Sequence, residues 1–585
     1  MILNKIEKAF LVFKQFWQLL SKKFRVQFLL MFVAILIGSL LETLGVSVLL
    51  PLINAILTPE KLMNNDKIKI ILDILNITTT QQFVLAVSLF VVIFYVIKNL
   101  YQILNNYWQN KFRTNLLAYI SETMMTSYMY RPYSFYLENN SSVLMRNVFN
   151  DTGGVTTCVT SLFSIITTFF VIVFMFIFLF ITDAFLAGGL CLSAILVLGC
   201  TVLFLGKPLR NYGEQLRVTD GVCYKNCQQA FQGIKEIIVS RKEDYFVNEY
   251  KNSYDKKNKI DIKKCVIEQL PNRMIEAICI SVLVLLIAYN VISGRIVSEV
   301  MIANLGAFAV AAFKLLPSVS ALSSNFNNYI IQYTAVQAVL QNLKEAKITF
   351  NKKNDEQISF NDNLKTKGLC FAYSKNSEKK ILNSVNTEIK KGDVVGIKGS
   401  SGSGKTTYVD VILGLLEPQA GDILIDNVKL TENNINSWRD KISYVPQTAY
   451  LIDDTIRANI AFGVPEKEID NDRIDRAMKE AMLYDYVESL PEKDYTVVGE
   501  RGVQMSGGQR QRLSIARALY TNPSIIIFDE ATSALDETTE KEIMESIDNL
   551  IGQKTLIIIA HRLSTLKKCN KIFEVADGKI IVTEN

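Results

Sequence analysis

Residues 399–406 read Gly399-Ser400-Ser401-Gly402-Ser403-Gly404-Lys405-Thr406, which is the G-x-x-x-x-G-K-[ST] pattern of a phosphate-binding loop. An apolar, β-prone run at 394–397 precedes it, and a helical pattern at 408–413 follows. In this context the glycines let backbone N–H groups point at phosphates, and the helix N-terminus adds a partial positive charge. We expect Lys405 to reach the β- and γ-phosphates of a nucleotide and the Thr406 hydroxyl to bind Mg²⁺. A turn without function is the alternative, but the four fixed positions match by accident in roughly one such chain in fifty.

Composition divides the chain into two parts. Hydrophobic residues make up 49% of the 585 residues and the mean hydropathy is +0.20, which is too apolar for an ordinary soluble enzyme. Long apolar runs fill residues 26 to about 325, whereas the chain after about 345 resembles a soluble α/β protein. We interpret the mild net charge of +6 as cytoplasmic loops beside anionic lipid and predict no nucleic-acid partner. The nine scattered cysteines indicate neither a zinc site nor a disulfide framework.

Six apolar stretches are each long enough to cross a membrane, which takes roughly 20 residues of helix. They lie at 26–57, 82–108, 155–182, 184–206, 266–293 and 300–323. A soluble six-helix bundle is the alternative, but Phe169–Ile181 contains no polar residue at all. Basic residues crowd one set of loops, and the positive-inside rule then predicts that both termini are cytoplasmic.

The expected fold class is a multi-domain membrane protein, in which an all-α six-helix transmembrane domain precedes an α/β P-loop NTPase domain. Within the long cytoplasmic regions, Pro132–Leu137 and Gly233–Ile237 interrupt the helical pattern. We expect short helices there that contact the soluble domain. The expected domains are an amphipathic cytoplasmic helix at 1–25, the transmembrane domain at 26–345, a polar linker at 346–358 and the nucleotide-binding domain at 359–585.

Ionisable residues fall inside or beside the predicted spans, where a charge is costly and usually faces a partner or a cavity. One interpretation is that they line a path for a polar substrate. The alternative is that Lys98 and Lys314 only extend toward the membrane surface and that Glu42 forms a structural ion pair. The residues in question are Glu42, Lys98, Arg273, Glu276 and Lys314.

One amide and two carboxylates that suit phosphoryl transfer follow the phosphate loop in the chain. Ser524–Phe528 reads as a buried strand, and it ends in Asp529 and Glu530. Asp529 is suited to Mg²⁺ coordination, and Glu530 to polarising the attacking water. Gln447 follows another strand and is placed to reach both the Mg²⁺ and the water.

Three further signals are weak alone. Tyr373 precedes the loop and is able to stack on adenine. Ser506-Gly507-Gly508-Gln509 opens a helix and provides a second anion-binding N-terminus. His561, the only histidine, follows an apolar strand, where it is placed to sense a γ-phosphate.

Taken together, these motifs resemble the ATP-binding cassette (ABC) family in order and spacing across roughly the last 230 residues. The resemblance implies a homodimer in which each ATP lies between the phosphate loop of one subunit and the Ser-Gly-Gly-Gln of the other. Met505 replaces the Leu that usually begins that signature. The implied catalytic residues are Glu530, His561 and Gln447, and the implied Mg²⁺ ligands are Thr406, Gln447 and Asp529. The implied ATP-binding residues are Tyr373, Gly399, Ser400, Gly402, Ser403, Gly404, Lys405, Thr406, Thr407, Ser506, Gly507, Gly508, Gln509 and Asp536.

The six spans resemble the exporter branch of that family, and residues 498–502 match an exporter-type loop. The resemblance implies that Glu500 contacts the coupling helices, which are the short helices expected at Pro132–Leu137 and Gly233–Ile237. Short stretches around Glu42, Arg273 and Lys314 are similar to bacterial lipid-linked oligosaccharide flippases and surface-glycan exporters. The resemblance implies an ATP-driven exporter in the cell membrane that moves a polyprenyl-pyrophosphate glycan or a related glycolipid outward. The rivals are a peptide or bacteriocin exporter and a multidrug exporter. A soluble DNA-repair ATPase shares the signature but lacks six spans.

Overall fold

The computed structural model describes residues 20–57, 77–182, 205–292, 299–349, 356–373, 380–499, 502–530, 537–560 and 566–584, together with isolated residues between them. Its contacts divide the chain into two compact units. The first unit holds residues 1–131 and 135–350, and the second holds residues 132–134 and 351–585. The domain boundaries expected from composition remain predictions.

The described residues up to 350 form helices joined by turns. The helices are α1 Lys22–Ser47, α2 Leu49–Leu57, α3 Thr80–Met129, α4 Tyr133–Glu138, α5 Ser141–Arg146, α6 Thr152–Thr182, α7 Gly206–Gln232, α8 Ile234–Ser240, α9 Glu243–Ile292 and α10 Glu299–Thr349. Predicted span 26–57 covers α1 and α2, span 82–108 lies in α3 and span 155–182 in α6, and each of these three regions is long and apolar enough to cross a membrane. Predicted span 266–293 lies in α9, which ends at Ile292, and span 300–323 lies in α10, whereas only scattered residues of span 184–206 are described.

Apolar side chains of the first unit separate into a buried and an exposed set. Ile35, Leu116 and Phe163, from α1, α3 and α6, are fully buried in one core. On the other side of α3, Leu85 and Ile103 are more than half exposed. A helix that is apolar on both its buried and its exposed face is typical of a membrane span.

Short helices interrupt the long ones at the two predicted places. Helix α4 begins at Tyr133, directly after Pro132, and α8 begins after Gly233. Arg241, which ends α8, has a φ of +53°, so the chain turns there before α9 begins at Glu243. Their predicted contact with the nucleotide-binding domain remains a prediction.

The second unit is an α/β domain with two sheets. The strands are β1 Asn363–Phe371, β2 Leu382–Lys390, β3 Val394–Lys398, β4 Ala420–Ile425, β5 Val428–Lys429, β6 Ile442–Val445, β7 Ile525–Asp529, β8 Thr555–Ile559, β9 Lys571–Ala576 and β10 Lys579–Glu584. One sheet has the order β2-β1-β4-β5 and is antiparallel. The other has the order β10-β9-β3-β8-β7-β6 and is parallel except for its β10–β9 pair. The helices are α11 Lys405–Ile412, α12 Ile435–Arg439, α13 Ile456–Ile460, α14 Asn471–Glu480, α15 Tyr484–Glu488, α16 Gly507–Tyr520 and α17 Glu537–Asp548.

Both faces of the parallel sheet are covered, which explains the unbroken apolar run of β7. Ile526 and Phe528 belong to one core cluster, whereas Ile525 and Ile527 belong to the other. Successive side chains of a strand point to opposite faces, so each face here buries its own set. Burying a side chain of this size stabilises the fold by about 1.5–3 kcal/mol.

The parallel strands place the predicted site residues along one sheet edge. The phosphate loop follows β3, Gln447 follows β6, and Asp529 and Glu530 stand at the end of β7. Since β3, β8, β7 and β6 are consecutive neighbours, their carboxyl ends meet at the same edge. The predicted fold class, a helical membrane domain followed by an α/β P-loop domain, is confirmed.

Candidate active site

The phosphate loop depends on glycine at two positions in particular. Gly399 has a φ of +156°, and a Cβ there would stand 2.5 Å from the Val575 carbonyl oxygen. Gly404 has a φ of +107° immediately before α11. Residues with a Cβ rarely adopt either conformation, so the glycines are what let the loop pass close to the sheet and turn into the helix.

Two side chains of the loop, those of Lys405 and Ser403, have buried polar atoms. Lys405 is only 6% exposed, and its Nζ donates hydrogen bonds to the carbonyl oxygens of Gly399 at 2.9 Å and Ser400 at 3.1 Å. The Ser403 hydroxyl oxygen is buried without a hydrogen-bond partner among the described residues. A buried cation and an unsatisfied hydroxyl at a helix N-terminus fit the phosphates of a nucleotide.

An aromatic side chain lies beside the loop, as predicted for an adenine platform. Tyr373 is 56% exposed and packs edge-on against Phe371, with ring centroids 5.2 Å apart. Its hydroxyl lies 3.1 Å from the Thr407 hydroxyl. This hydrogen bond joins Tyr373 to α11 and leaves much of its ring surface open to stacking.

The structure brings Gln447 and Glu530 together. Gln447 Nε2 donates a 2.8 Å hydrogen bond to Glu530 Oε2. Glu530 has a φ of +49°, a strained value for a residue with a Cβ, and its N–H donates to the Ile559 carbonyl at 3.1 Å. Strained backbone of this kind clusters at functional sites because the surroundings must hold it in place.

Asp529 is 7% exposed, and burial raises the pKa of its carboxyl. The Tyr444 hydroxyl opposes this rise by donating a 2.9 Å hydrogen bond to Asp529 Oδ2. Asp410, on α11, has a pKa raised to about 6 by burial and by the charge of Asp529. Sequence reasoning missed Tyr444 and Asp410. The signal for Tyr444 was its place three residues before Gln447, and for Asp410 its place one helical turn after Thr406.

Mg²⁺ prefers oxygen ligands and usually keeps substrate phosphates and waters in its shell. The Thr406 hydroxyl, the Gln447 amide oxygen and the Asp529 carboxylate are donors of that kind. Thr406 is exposed at the start of α11, and Asp529 is held by Tyr444. These residues therefore fit a magnesium ion that is shared with a nucleotide.

The predicted second anion site is a capped helix N-terminus. Ser506 Oγ accepts the Gln509 N–H at 3.3 Å, and Gln509 Oε1 accepts the Ser506 N–H at 2.8 Å. This capping box leaves the serine proton and the N–H groups of Gly507 and Gly508 to point away from the helix. Met505 is buried in the hydrophobic core of the domain, so this position requires an apolar side chain, and methionine is apolar as leucine is.

Three predicted residues lie outside the described part of the chain: His561, Asp536 and Glu500. Their neighbours are described, since β8 ends at Ile559 and α17 begins at Glu537. Their roles remain predictions.

In the first unit, Glu42 and Lys98 form a buried ion pair, with Nζ 2.9 Å from Oε2. Lys98 is 4% exposed and lies over the ring of Tyr95, and Gln102 Nε2 donates to Glu42 at 3.5 Å. Opposite charges this close nearly cancel, which lowers the cost of burying both.

The other described residues of the predicted substrate path are exposed and not buried. Arg273 and Glu276 are both exposed on α9 and lie 3.4 Å apart, one helical turn from each other. The side chain of Lys314 lies outside what the structure describes. The structure therefore pairs four of the five ionisable residues among themselves, and their predicted role in a substrate path remains a prediction.

Comparisons with known proteins agree with this architecture. A family model of the ABC transporter transmembrane region matches residues 28–313, and one of the ABC transporter matches residues 382–533. The chain is similar to proteins named ATP-dependent lipid A-core flippase. The one from Saccharophagus degradans is 29% identical over 510 residues, 85% of this chain and 84% of that protein. The one from Syntrophus aciditrophicus is 30% identical over 495 residues, 80% and 79% of the two chains.

A solved structure, of a bacterial Atm1-family ABC exporter with ATP bound, has the same fold. It matches with a TM-score of 0.75 and 23% identity, and the match covers 93% of this chain and 94% of that one.

Proposed function

The chain belongs to the ABC transporter family, as a membrane protein whose ATPase is coupled to transport, and from this premise we propose that it works as a homodimer that moves a phosphorylated glycolipid outward. The observation that carries the proposal is the similarity, over about four-fifths of the chain, to proteins named ATP-dependent lipid A-core flippase. Within that class, a polyprenyl-pyrophosphate glycan is the proposed substrate. Both lipids combine apolar tails, sugars and phosphate.

ATP hydrolysis follows from the residues at the sheet edge. The phosphate loop and Lys405 hold the β- and γ-phosphates, and Tyr373 stacks on the adenine. Glu530 polarises the attacking water from a position set by Gln447, and His561 contacts the γ-phosphate. Mg²⁺, when bound with ATP by Thr406, Gln447 and Asp529, neutralises phosphate charge.

A homodimer is proposed because each chain carries one phosphate loop and one Ser506–Gln509 signature. The free serine proton and the glycine N–H groups of the signature would complete the site around ATP held by the partner chain. Closure and opening of two such sites would drive alternating access of the membrane domain. Asp536 and Glu500 are assigned to the nucleotide site and to its coupling with the membrane domain.

The membrane orientation that we propose places both termini in the cytoplasm of a cell whose plasma or inner membrane holds the protein. Basic residues in the cytoplasmic loops support this orientation. The proposed substrate path is lined by Glu42, Lys98, Arg273, Glu276 and Lys314. In this path Lys98 would exchange Glu42 for the phosphate of the lipid, since both partners are anionic.

The substrate class is tested by the ATPase activity of the purified protein in lipid nanodiscs. We expect a polyprenyl-pyrophosphate oligosaccharide to stimulate hydrolysis several-fold, and the same lipid without pyrophosphate to have no effect. In the double variant Glu42→Gln/Lys98→Met we expect normal basal hydrolysis without stimulation. The matched control is Asp220→Asn/Lys257→Met, which removes another ion pair of the first unit, 2.7 Å long.

The outcomes separate the alternatives. Stimulation by a lipid A-type glycolipid alone would move the assignment to that lipid, and stimulation by peptides or drugs alone would overturn the glycolipid proposal. Full stimulation of the Glu42→Gln/Lys98→Met variant would contradict the proposed path.

A further inference from the structure

Tyr444 reaches from its own strand to a carboxylate of the active site on the neighbouring strand. It lies on β6, the edge strand of the six-stranded sheet, and pairs in register with Ile527 of β7. Its hydroxyl nevertheless bonds to Asp529, two residues further along β7, at 2.9 Å from Oδ2. The contact is therefore diagonal across the pair of strands and depends on the length of the tyrosine ring.

The hydroxyl is the donor in this bond, because an ionised carboxylate can only accept a hydrogen bond. A phenol that donates to a carboxylate forms a charge-assisted hydrogen bond, which is stronger than a bond between neutral groups. Its effect is to fix the rotation of the Asp529 carboxylate about its Cβ–Cγ bond.

The same segment of chain also holds the neighbouring carboxylate. Gln447, three residues after Tyr444, donates to Glu530 at 2.8 Å. Residues 444–447 therefore supply one side-chain donor to each of the two acids at the end of β7. The Gln447 contact is part of the site already described, whereas nothing in the hydrolysis scheme above uses Tyr444.

We propose that Tyr444 is a positioning residue for Mg²⁺, because its hydroxyl holds the buried Asp529 carboxylate in the orientation that meets the metal bound with ATP. This inference rests on the proposed placement of Mg²⁺ at Asp529. Groups that orient a metal ligand typically change metal affinity by about 10- to 100-fold when they are removed. The loss should be selective for the metal, since Tyr444 makes no described contact with the phosphate loop.

The alternative is that Tyr444 only stabilises the edge strand β6. A structural role would weaken nucleotide binding with or without metal, because a displaced β6 disturbs the whole sheet edge. A positioning role would leave metal-free nucleotide binding intact. Nucleotide affinity measured in EDTA and across a Mg²⁺ titration distinguishes the two.

The test uses the full-length protein carrying Glu530→Gln, so that ATP is bound but not turned over. In Tyr444→Phe we expect unchanged ATP affinity in EDTA and a midpoint for Mg²⁺ that rises about 10- to 100-fold. Electron paramagnetic resonance of Mn²⁺ in place of Mg²⁺ should show the same weaker metal binding directly. Tyr444→Leu, a second variant without the hydroxyl, should show the same metal-selective loss.

Tyr408→Phe is the matched control. Tyr408 is a fully buried tyrosine of the same unit whose hydroxyl lies 2.6 Å from that of Thr387, away from both acids, so its Mg²⁺ midpoint should not change. An equal loss of ATP affinity in EDTA and in Mg²⁺, or no loss in either, would overturn the inference. If the parent Glu530→Gln protein bound ATP equally well with and without Mg²⁺, the placement of the metal would itself be wrong.

Discussion

Glu530 combines a strained backbone with two fixed hydrogen bonds. A φ of +49° costs a residue with a Cβ about 1–2 kcal/mol. The cost is tolerated here because its N–H donates to Ile559 and its carboxylate accepts from Gln447, so the side chain is aimed at the sheet edge. The carboxylate is therefore preorganised before a nucleotide arrives, as a general base should be.

Replacing that carboxylate should separate binding from hydrolysis. In Glu530→Gln we expect steady-state ATPase activity to fall by at least about a hundredfold, because only the group that polarises water is lost. ATP affinity, measured with a fluorescent nucleotide, should stay within about threefold. Glu488→Gln removes a carboxylate from a surface ion pair of the same unit and should leave both quantities unchanged. Near-normal hydrolysis in Glu530→Gln would refute its catalytic role.

Asp410 makes the stability of the nucleotide-binding unit depend on pH. Its folded pKa of about 6 exceeds the unfolded value of 3.8, so the ionised form destabilises the fold at neutral pH. As the pH falls from about 6 to about 4, the folded protein takes up a proton that the unfolded chain does not, and this penalty disappears. Above pH 6 the penalty is present in full.

Asp410→Asn should therefore stabilise the nucleotide-free, metal-free protein at pH 7.5 by about 1 kcal/mol, or about 2–4 °C in the unfolding temperature. At pH 4.5 the gain should nearly vanish. Fluorescence of Trp438, fully buried in this unit, follows the transition in a background in which Trp17 and Trp108 are replaced. An equal gain at both pH values would show that the charge of Asp410 is not the cause.

At the scale of elements, the phosphate loop and its flanking strand and helix were predictable, and the side-chain partners were not. An apolar run, spaced glycines and a following helical pattern predict β3, the loop and α11 because each is a local property of the chain. Tyr444 meeting Asp529, and Lys98 meeting Glu42, depend on how distant elements pack. The capping box at Ser506 was predictable only in part. Its residue spacing is a local property of the chain, but its role in a nucleotide site needs a second chain.

Gly399→Ala tests what the loop requires of its glycine. The added Cβ would meet the Val575 carbonyl oxygen at 2.5 Å, so the loop must move away from the sheet. We expect ATP affinity to fall at least tenfold, because the backbone N–H groups of the displaced loop no longer converge on the phosphates. Gly392→Ala is the control, since Gly392 also has a positive φ, +86°, but its Cβ would meet open space.

The control isolates backbone strain from steric clash. Gly392→Ala should lower stability by about 1 kcal/mol and leave ATP affinity unchanged. Equal losses of ATP affinity in both variants would mean that strain alone, and not the close approach to Val575, limits the loop.

In the whole molecule, the proposed homodimer requires that two chains share each ATP. Mixed dimers test this. When Lys405→Ala is on one chain and Ser506→Ala on the other, both changes fall in one composite site and the second site stays intact. When both changes are on the same chain, each site loses one part.

We expect the first arrangement to retain roughly half of the ATP sites in working order and the second to retain none, as measured by ATP trapping in covalently linked dimers. Equal trapping in the two arrangements would show that the sites are not built from two chains. The wild-type linked dimer is the reference for both.

ATP-driven lipid movement is tested directly in proteoliposomes that contain a labelled polyprenyl-pyrophosphate glycan, with Mg²⁺ and ATP added outside. Added nucleotide reaches only molecules whose nucleotide-binding units face outward, so these alone are energised. If the protein is a flippase for this lipid, the wild-type protein will move the labelled lipid to the inner leaflet and Glu530→Gln will not. Sustained ATP hydrolysis by the wild-type protein without any movement of the lipid would contradict the proposed function.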